Sequence, residues 1–234
     1  MSALPPQAEF DLHCDRYRAE HAASIRASGE DVDFFAGYKA ADALRLAETA
    51  GLAVRDILDF GSGVGNAVAP LREAFPHARL TCLDVSARSL EASRRKHGDD
   101  NAYVPYDGQT LPFAPASFDL AFAACVFHHI PHEDHVALLA QIRASLRPGG
   151  LFVLYEHNPW NPLTRQAVAN CPFDENAVLI SAPVMAARLR AAGFAPVTRE
   201  YRMFFPRALA ALRPLERFLK ALPLGAQYVL GGCA

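Results

Sequence analysis

The sequence predicts an α/β fold, a single domain built on a mostly parallel sheet, and two observations carry that expectation. The first is residues 54–69, VRDILDFGSGVGNAVA, where a short apolar run ends on Asp59 and passes straight into a glycine loop and a helix. The second is repetition of the theme, with apolar runs at 79–83, 102–105, 118–125 and 151–156 and helical segments at 86–96 and 132–146. A chain of 234 residues is long enough for one domain burying roughly 70% of its unfolded surface, and too short for two with separate cores.

The glycine loop narrows the ligand class. Gly61, Gly63 and Gly65 let the backbone turn sharply out of the strand and lie against a bulky ligand before the helix expected over 65–75. A dinucleotide fingerprint needs its third glycine at position 66, which is Asn66, and no GK[ST] follows to make a phosphate-gripping loop. The form that does fit, Asp59 followed by glycines at alternate positions, resembles the first motif of class I S-adenosylmethionine (SAM) dependent methyltransferases. In that family the loop wraps the methionine half of the cofactor, which implies contacts from Asp59, Gly61, Ser62, Gly63, Gly65 and Asn66.

Later segments extend the resemblance. A second strand ends on Asp84, followed by Val85, and an acid at such a tip accepts hydrogen bonds from both hydroxyls of an adenosine ribose. Ser86 reads as the N-cap of the next helix. After the third strand, YDGQTLPFAPASFD is similar to the family pattern DAxxLPFxxxSFD, with Asp107 and Gly108 where the family places the acid that accepts from the adenine amino group. The RPGG at 147–150 is expected to stop a helix and turn the chain into the fifth strand. A helix over 183–192, a sixth strand over 194–204 and a seventh over 228–233 complete the pattern. By resemblance the architecture is a Rossmann-like sheet of seven strands with helices on both faces, its last strand antiparallel and inserted between the fifth and sixth.

By the same resemblance, residues 1–52 are expected to form a helical lid before the SAM-binding core at 54–204. Phe34, Phe35, Tyr38, Leu44, Leu46 and Leu52 supply a partly apolar face, and Tyr17 and Lys39 are positioned to reach the cofactor, Lys39 as a cation for its carboxylate. Insertions at 157–180 and 206–225 read as caps. The second carries Leu209, Leu212, Leu215, Phe218, Leu219 and Leu222 on one stripe with Arg207, Arg213, Arg217 and Lys220 elsewhere, and is expected to pack on its own domain, the alternatives being that it lies on a membrane surface and that the acceptor is lipid-linked.

Charge and cysteine usage exclude several classes. With 23 basic and 25 acidic residues and a net charge of −2, nothing points to a nucleic-acid footprint. The five cysteines, Cys14, Cys82, Cys125, Cys171 and Cys233, never form a CxxC pair, so neither a disulfide framework nor a zinc cluster is expected. No apolar run approaches a membrane span, and a cytoplasmic protein is expected. The histidines of HHIPHEDH lack the spacing of a zincin helix, so no metal is expected.

The acceptor is expected to be a small molecule, bound beyond the carboxyl ends of strands four and five. If it is a hydroxyl or an ammonium, a proton must leave, and the candidate bases are His157 after strand five and His129 after strand four; His157 opens the polar insertion and is preferred. The rival readings are a nicotinamide-dependent oxidoreductase, opposed by Asn66 and Asp107, and a non-catalytic binding subunit on the same fold.

Overall fold

The computed structural model describes Asp11 and residues 17–234, with the side chains of Tyr17 and Arg18 outside that description. Its frame is a seven-stranded sheet in the order β3-β2-β1-β4-β5-β7-β6. The strands are β1 (Asp56–Phe60), β2 (Arg79–Asp84), β3 (Ala102–Pro105), β4 (Phe118–Ala124), β5 (Leu146–His157), β6 (Val197–Arg202) and β7 (Gln227–Cys233). The first five run parallel, while β7 is antiparallel to both β5 and β6. The expected architecture therefore holds, down to the inserted last strand.

Successive strand residues point to opposite faces, and each face has its own core. Leu58, Phe60, Leu83, Phe152 and Leu154 pack on one side with α5 (His135–Ser145) and α7 (Ala182–Ala191). Ile57, Leu80, Cys82, Leu120, Val153 and Tyr155 pack on the other with α2 (Val32–Thr49), α3 (Val68–Ala74) and Leu90 of α4 (Ala87–His97). The central strand β1 is buried along its whole length, with Ile57, Leu58 and Phe60 in the core and the carboxylates of Asp56 and Asp59 toward its two ends.

Among the described residues the N-terminal arm carries the helices α1 (Tyr17–Ser24) and α2, the latter capped by Asp31, whose carboxylate accepts from Phe34 N at 2.7 Å. Its buried stripe is Val32, Phe35, Ala36, Lys39, Ala40, Ala43 and Ala47, so its closest packing runs largely through alanines, with Phe35 buried and Tyr38, Leu44, Leu46 and Leu52 partly buried against the same core. Polar contacts fix it there: Asp42 accepts from Tyr155 Oη at 2.9 Å and pairs with Arg202, while Arg45 reaches Glu200 at 3.0 Å. Tyr17 opens α1, and its side chain lies outside the described residues, as does Cys14. The other four cysteines are free thiols.

Four boundaries differ from expectation, each for a local reason. Helix α3 begins at Val68 and not at Gly65, because the positive φ values of Gly61, Gly63 and Gly65 keep the loop out of helical geometry. Helix α5 begins at His135 and not at 132, since Asp134 N bonds Pro131 O in a turn. The RPGG segment lies inside β5: the ladder with β4 shifts register between Phe118 and Leu120, and Gly149 N bonds Ala234 O. Strand β6 starts at Val197, after Pro196, which has no N–H to donate.

Asp119 of the SFD string serves the frame. Its carboxylate accepts from Arg55 N, Asp56 N and Arg147 Nη1 at 2.7–2.9 Å, at the amino ends of β1 and β4. This clamp holds the two central strands in register at the end opposite the loops that carry chemistry.

Candidate functional site

Above the carboxyl ends of the parallel strands lies a cavity of about 440 Å³. Open α/β sheets place ligands there, where the strand order reverses between β1 and β4. Of the residues expected from the sequence, Asp59, Gly61, Ser62, Gly63, Asn66, Asp84, Val85, Asp107, Gly108, Lys39, His129 and His157 all line it. Gly65 does not. A Cβ on Gly65 would stand 2.1 Å from Ser93 Oγ and 3.0 Å from the His97 ring, so this glycine is required by packing against α4.

One wall is built from the ends of β1, β2 and β3. Asp84 accepts from Gly63 N through Oδ2 and from Ser86 N through Oδ1, both at 2.8 Å, tying the tip of β2 to the glycine loop. Ser86 in turn caps α4 by accepting from Ser89 N, as expected. Asp59 is buried beside Asp84. Desolvation, helped by the Asp84 charge, pushes its carboxyl up to about 7, and Asp59 Oδ2 has no hydrogen-bond partner among the described residues. A Cβ built on Gly63 meets nothing within 4 Å. A buried, unsatisfied carboxylate beside a backbone left bare by a glycine fits a cationic group held close to the loop. Asp107 is exposed; its Oδ1 accepts from Gln109 N and Thr110 N at 2.8 and 2.7 Å, and those bonds hold its carboxyl below the usual range. One oxygen thus orders the turn, leaving the other side of the carboxylate to face a ligand.

The other wall rises from β4 and β5. Glu156, at the end of β5, accepts from Val126 N at 3.0 Å and from Phe127 N at 2.7 Å, and meets His128 Nδ1 at 2.6 Å. His128 Nε2 lies 3.4 Å from Asp174 Oδ1, and His129 Nε2 lies 3.3 Å from the same oxygen. Burial opposes the charge on each member, but His128 brings Glu156 down to about 2, and the two carboxylates hold His128 well above its ordinary value. His129, buried next to that cation, is pushed down and stays neutral. The His157 ring is 5.2 Å from His128. Among the described residues, His128, His157 and Asp174 bring potential ligand atoms within 4.8 Å of one another, a grouping that local spacing does not encode.

Between the walls sit Lys39 and Cys125. Lys39 Nζ is 3.5 Å from Cys125 Sγ. Burial pushes this thiol up, but His157 and Lys39 outweigh burial and bring it down to about 7. Lys39 therefore faces the cavity from α2 as expected, and the cation has a partner of its own. Sequence reasoning places the stretches 125–131 and 157–178 beside the acceptor but singles out neither Cys125, His128 nor Asp174 within them, and it misses Glu156. Their segments, 125–129, 156–157 and 174, meet only through the pairing of β4 with β5 and the fold of the insertion.

Comparison with known proteins agrees with this geometry. Residues 58–154 match the family described as "Methyltransferase domain". The chain is 38% identical over 101 residues to a malonyl-[acyl-carrier protein] O-methyltransferase of Xylella fastidiosa, covering 42% of this chain and 34% of that protein. It is 33% identical over 137 residues to the ribosomal RNA small subunit methyltransferase C of Pseudomonas entomophila, covering 55% and 41%. The chain spans less than half the length of these curated relatives. In structure it is similar to a SAM-dependent methyltransferase of Thermotoga maritima, with a TM-score of 0.69 at 19% identity, over 97% of this chain and 99% of that one. The chain thus matches a methyltransferase domain over residues 58–154, and its fold is similar to that of a SAM-dependent methyltransferase.

Proposed function

We propose that the protein transfers a methyl group from SAM to a small-molecule acceptor. The observation that carries this reading is the convergence of Asp59, Gly63, Asp84 and Asp107 on one wall of a cavity whose other wall is the histidine–carboxylate cluster. In this reading Asp59, Gly61, Ser62, Gly63 and Asn66 hold the methionine half, with Lys39 and Tyr17 from the N-terminal arm. Asp84 and Val85 hold the ribose, and Asp107 and Gly108 the adenine. SAM, when bound, supplies an already activated methyl group, so the protein's work is to align the acceptor and exclude water.

His157, at the mouth of β5, takes the proton of a hydroxyl or ammonium acceptor, a contribution of typically ~100-fold to 10,000-fold for a positioned base. The Glu156–His128–Asp174 network holds the turn and the insertion that frame it. A small acceptor is supported by the apolar lining, which includes Phe35, Val85, Ile130, Val168 and Phe173, and by a sequence without the [DN]PP[YF] motif of enzymes that methylate amino groups of nucleic-acid bases. The match to a ribosomal RNA methyltransferase makes RNA the competing acceptor.

Calorimetric titration with SAM, its demethylated product and NADH, followed by methyl transfer assays on small acids, alcohols and amines and on ribosomal RNA, tests the reading. SAM and its product should bind and NADH should not. His157→Ala should keep cofactor affinity and lose at least ~100-fold in rate. Full turnover in that variant removes His157 from the chemistry, and transfer to RNA alone overturns the small-molecule assignment.

A further inference from the structure

The segment between β6 and β7 is turned the opposite way from the packing its sequence suggests. Its polar side chains anchor it. Arg213 pairs with Glu30 at 2.5 Å and lies over the Phe34 ring, 4.7 Å from its centroid. Glu216 Oε1 accepts from Phe204 N and Phe205 N, both at 3.1 Å, and Lys220 pairs with Glu200 at 3.2 Å. The large apolar side chains face outward: Leu209, Leu212, Leu215, Leu222, Leu224 and Phe218, the last 70% exposed. The expectation that this stripe docks on its own domain is therefore overturned, because the inward positions are taken by ion pairs and backbone amides.

The apolar surface does not stop at this segment. Asn161 Nδ2 donates to Leu224 O at 2.8 Å, and Asn158 Nδ2 donates to Pro223 O and Gly225 O, which stitches the segment to the start of α6 (Pro162–Ala169). That seam brings in Trp160 and Leu163, 50% and 59% exposed. Leu163 lines the cavity, as do Phe205 and Pro206, so the exposed apolar surface runs to the cavity rim. Over 158–170 and 206–224 the exposed charged side chains are Arg165, Arg207 and Arg217; the sole acid, Glu216, is turned inward. Monomeric proteins rarely leave so many large apolar groups together on one surface.

We propose that this face docks on an anionic lipid bilayer, its leucines, Phe218 and Trp160 entering the boundary between headgroups and acyl chains while the three arginines meet lipid phosphates. Apolar groups rimmed by charge of one sign and an aromatic side chain at the margin match that interface. A second copy of the chain fits less well, because a two-fold contact would turn this all-positive rim on itself with no acid to meet. No described helix is long and apolar enough to cross a membrane, so the contact is with the surface. Docking there puts the cavity mouth against the bilayer, and, resting on the methyl-transfer reading, the acceptor is then an amphiphile that enters from the lipid side.

Trp160 is the single tryptophan of the chain and reports the contact directly. The protein is mixed with phosphatidylcholine vesicles, with and without phosphatidylglycerol, and followed by flotation and by tryptophan emission. The protein should float with the anionic vesicles, its emission shifting to shorter wavelength, and salt should weaken the binding. The pair Leu212→Glu and Phe218→Glu should lose about tenfold or more of the vesicle affinity, and Arg207→Glu with Arg217→Glu should lose the preference for phosphatidylglycerol. Both pairs should bind the demethylated cofactor as the wild type does, which separates a failure of docking from a failure of the methyl-transfer reading. A wild-type protein left unbound with unchanged emission, or leucine and phenylalanine variants that float equally well, would overturn the proposal. So would a dimer in light scattering that the Leu212→Glu, Phe218→Glu pair dissociates, since the face then belongs to a second copy.

Discussion

Gly63 and Gly65 lie in the same loop, yet a methyl group at each would meet different surroundings. At Gly65 it would collide with Ser93 and His97, whereas at Gly63 it would point into open space. Both have positive φ, which costs an L-residue roughly 1–2 kcal/mol. Gly65→Ala should therefore lose stability well beyond that cost, while Gly63→Ala should lose about that much and retain the fold but bind the cofactor at least tenfold more weakly. Melting curves and calorimetry separate the two, and equal behaviour of the variants would contradict this division of roles. Asp59 makes a second prediction. Its folded value of about 7, against 3.8 for a free carboxyl, means that the folded protein keeps a proton that the unfolded chain has released. The unliganded protein should thus lose stability as the pH rises from about 4 through 7. A ligand that brings positive charge beside Asp59 favours its ionised form, so cofactor binding near neutral pH should release a proton. Titrations in buffers of different ionisation enthalpy should then give different apparent heats, and identical heats would remove Asp59 from the ligand's surroundings.

Strand ends set the geometry at the next scale. Glu156 closes β5 by gripping the turn after β4, so the two histidines of that turn are placed by a neighbouring strand. The sign of its pH dependence follows from its lowered carboxyl: its stabilisation is present above about 4.5 and is lost as the pH falls toward about 2. The raised His128 acts oppositely, contributing below its unfolded value and losing that contribution only as the pH rises through its folded one. Glu156→Gln leaves the His128 cation with Asp174 alone. Disrupting a buried pair costs on the order of 3 kcal/mol, which for a chain of this size lowers the melting temperature by roughly 6–12 °C. The variant should also show a flatter acid limb between pH 4.5 and 2; an unchanged melting profile would mean that the network does not hold the turn. This scale also marks where the sequence is readable. Strands β2 and β3, the cap at Ser86 and the loop after β1 follow from short apolar runs, turn chemistry and glycine spacing, because each is decided by residues close in sequence. The Glu156–His128–Asp174 cluster is not readable, since three distant segments supply it and none carries the spacing of a known motif.

Across the whole molecule, two features were decided by competition between elements. Helix α2 is clamped to the sheet through Asp42, Arg45, Arg202 and Glu200, so this part of the arm forms a wall of the cavity along Val32, Phe35, Ala36 and Lys39. The 206–225 segment satisfies its polar groups inward and leaves its leucines outside, which a helical stripe alone cannot foretell because it does not say which side the protein occupies. Both features border the same cavity above β1, β2, β4 and β5. The most direct measurement is a calorimetric titration of the wild type and of Gly63→Ala with the demethylated cofactor. One molecule bound per wild-type chain, with binding at least tenfold weaker in a variant that still melts cooperatively, is the predicted result. Absence of binding to the wild type, or equal affinity in the two proteins, would contradict it.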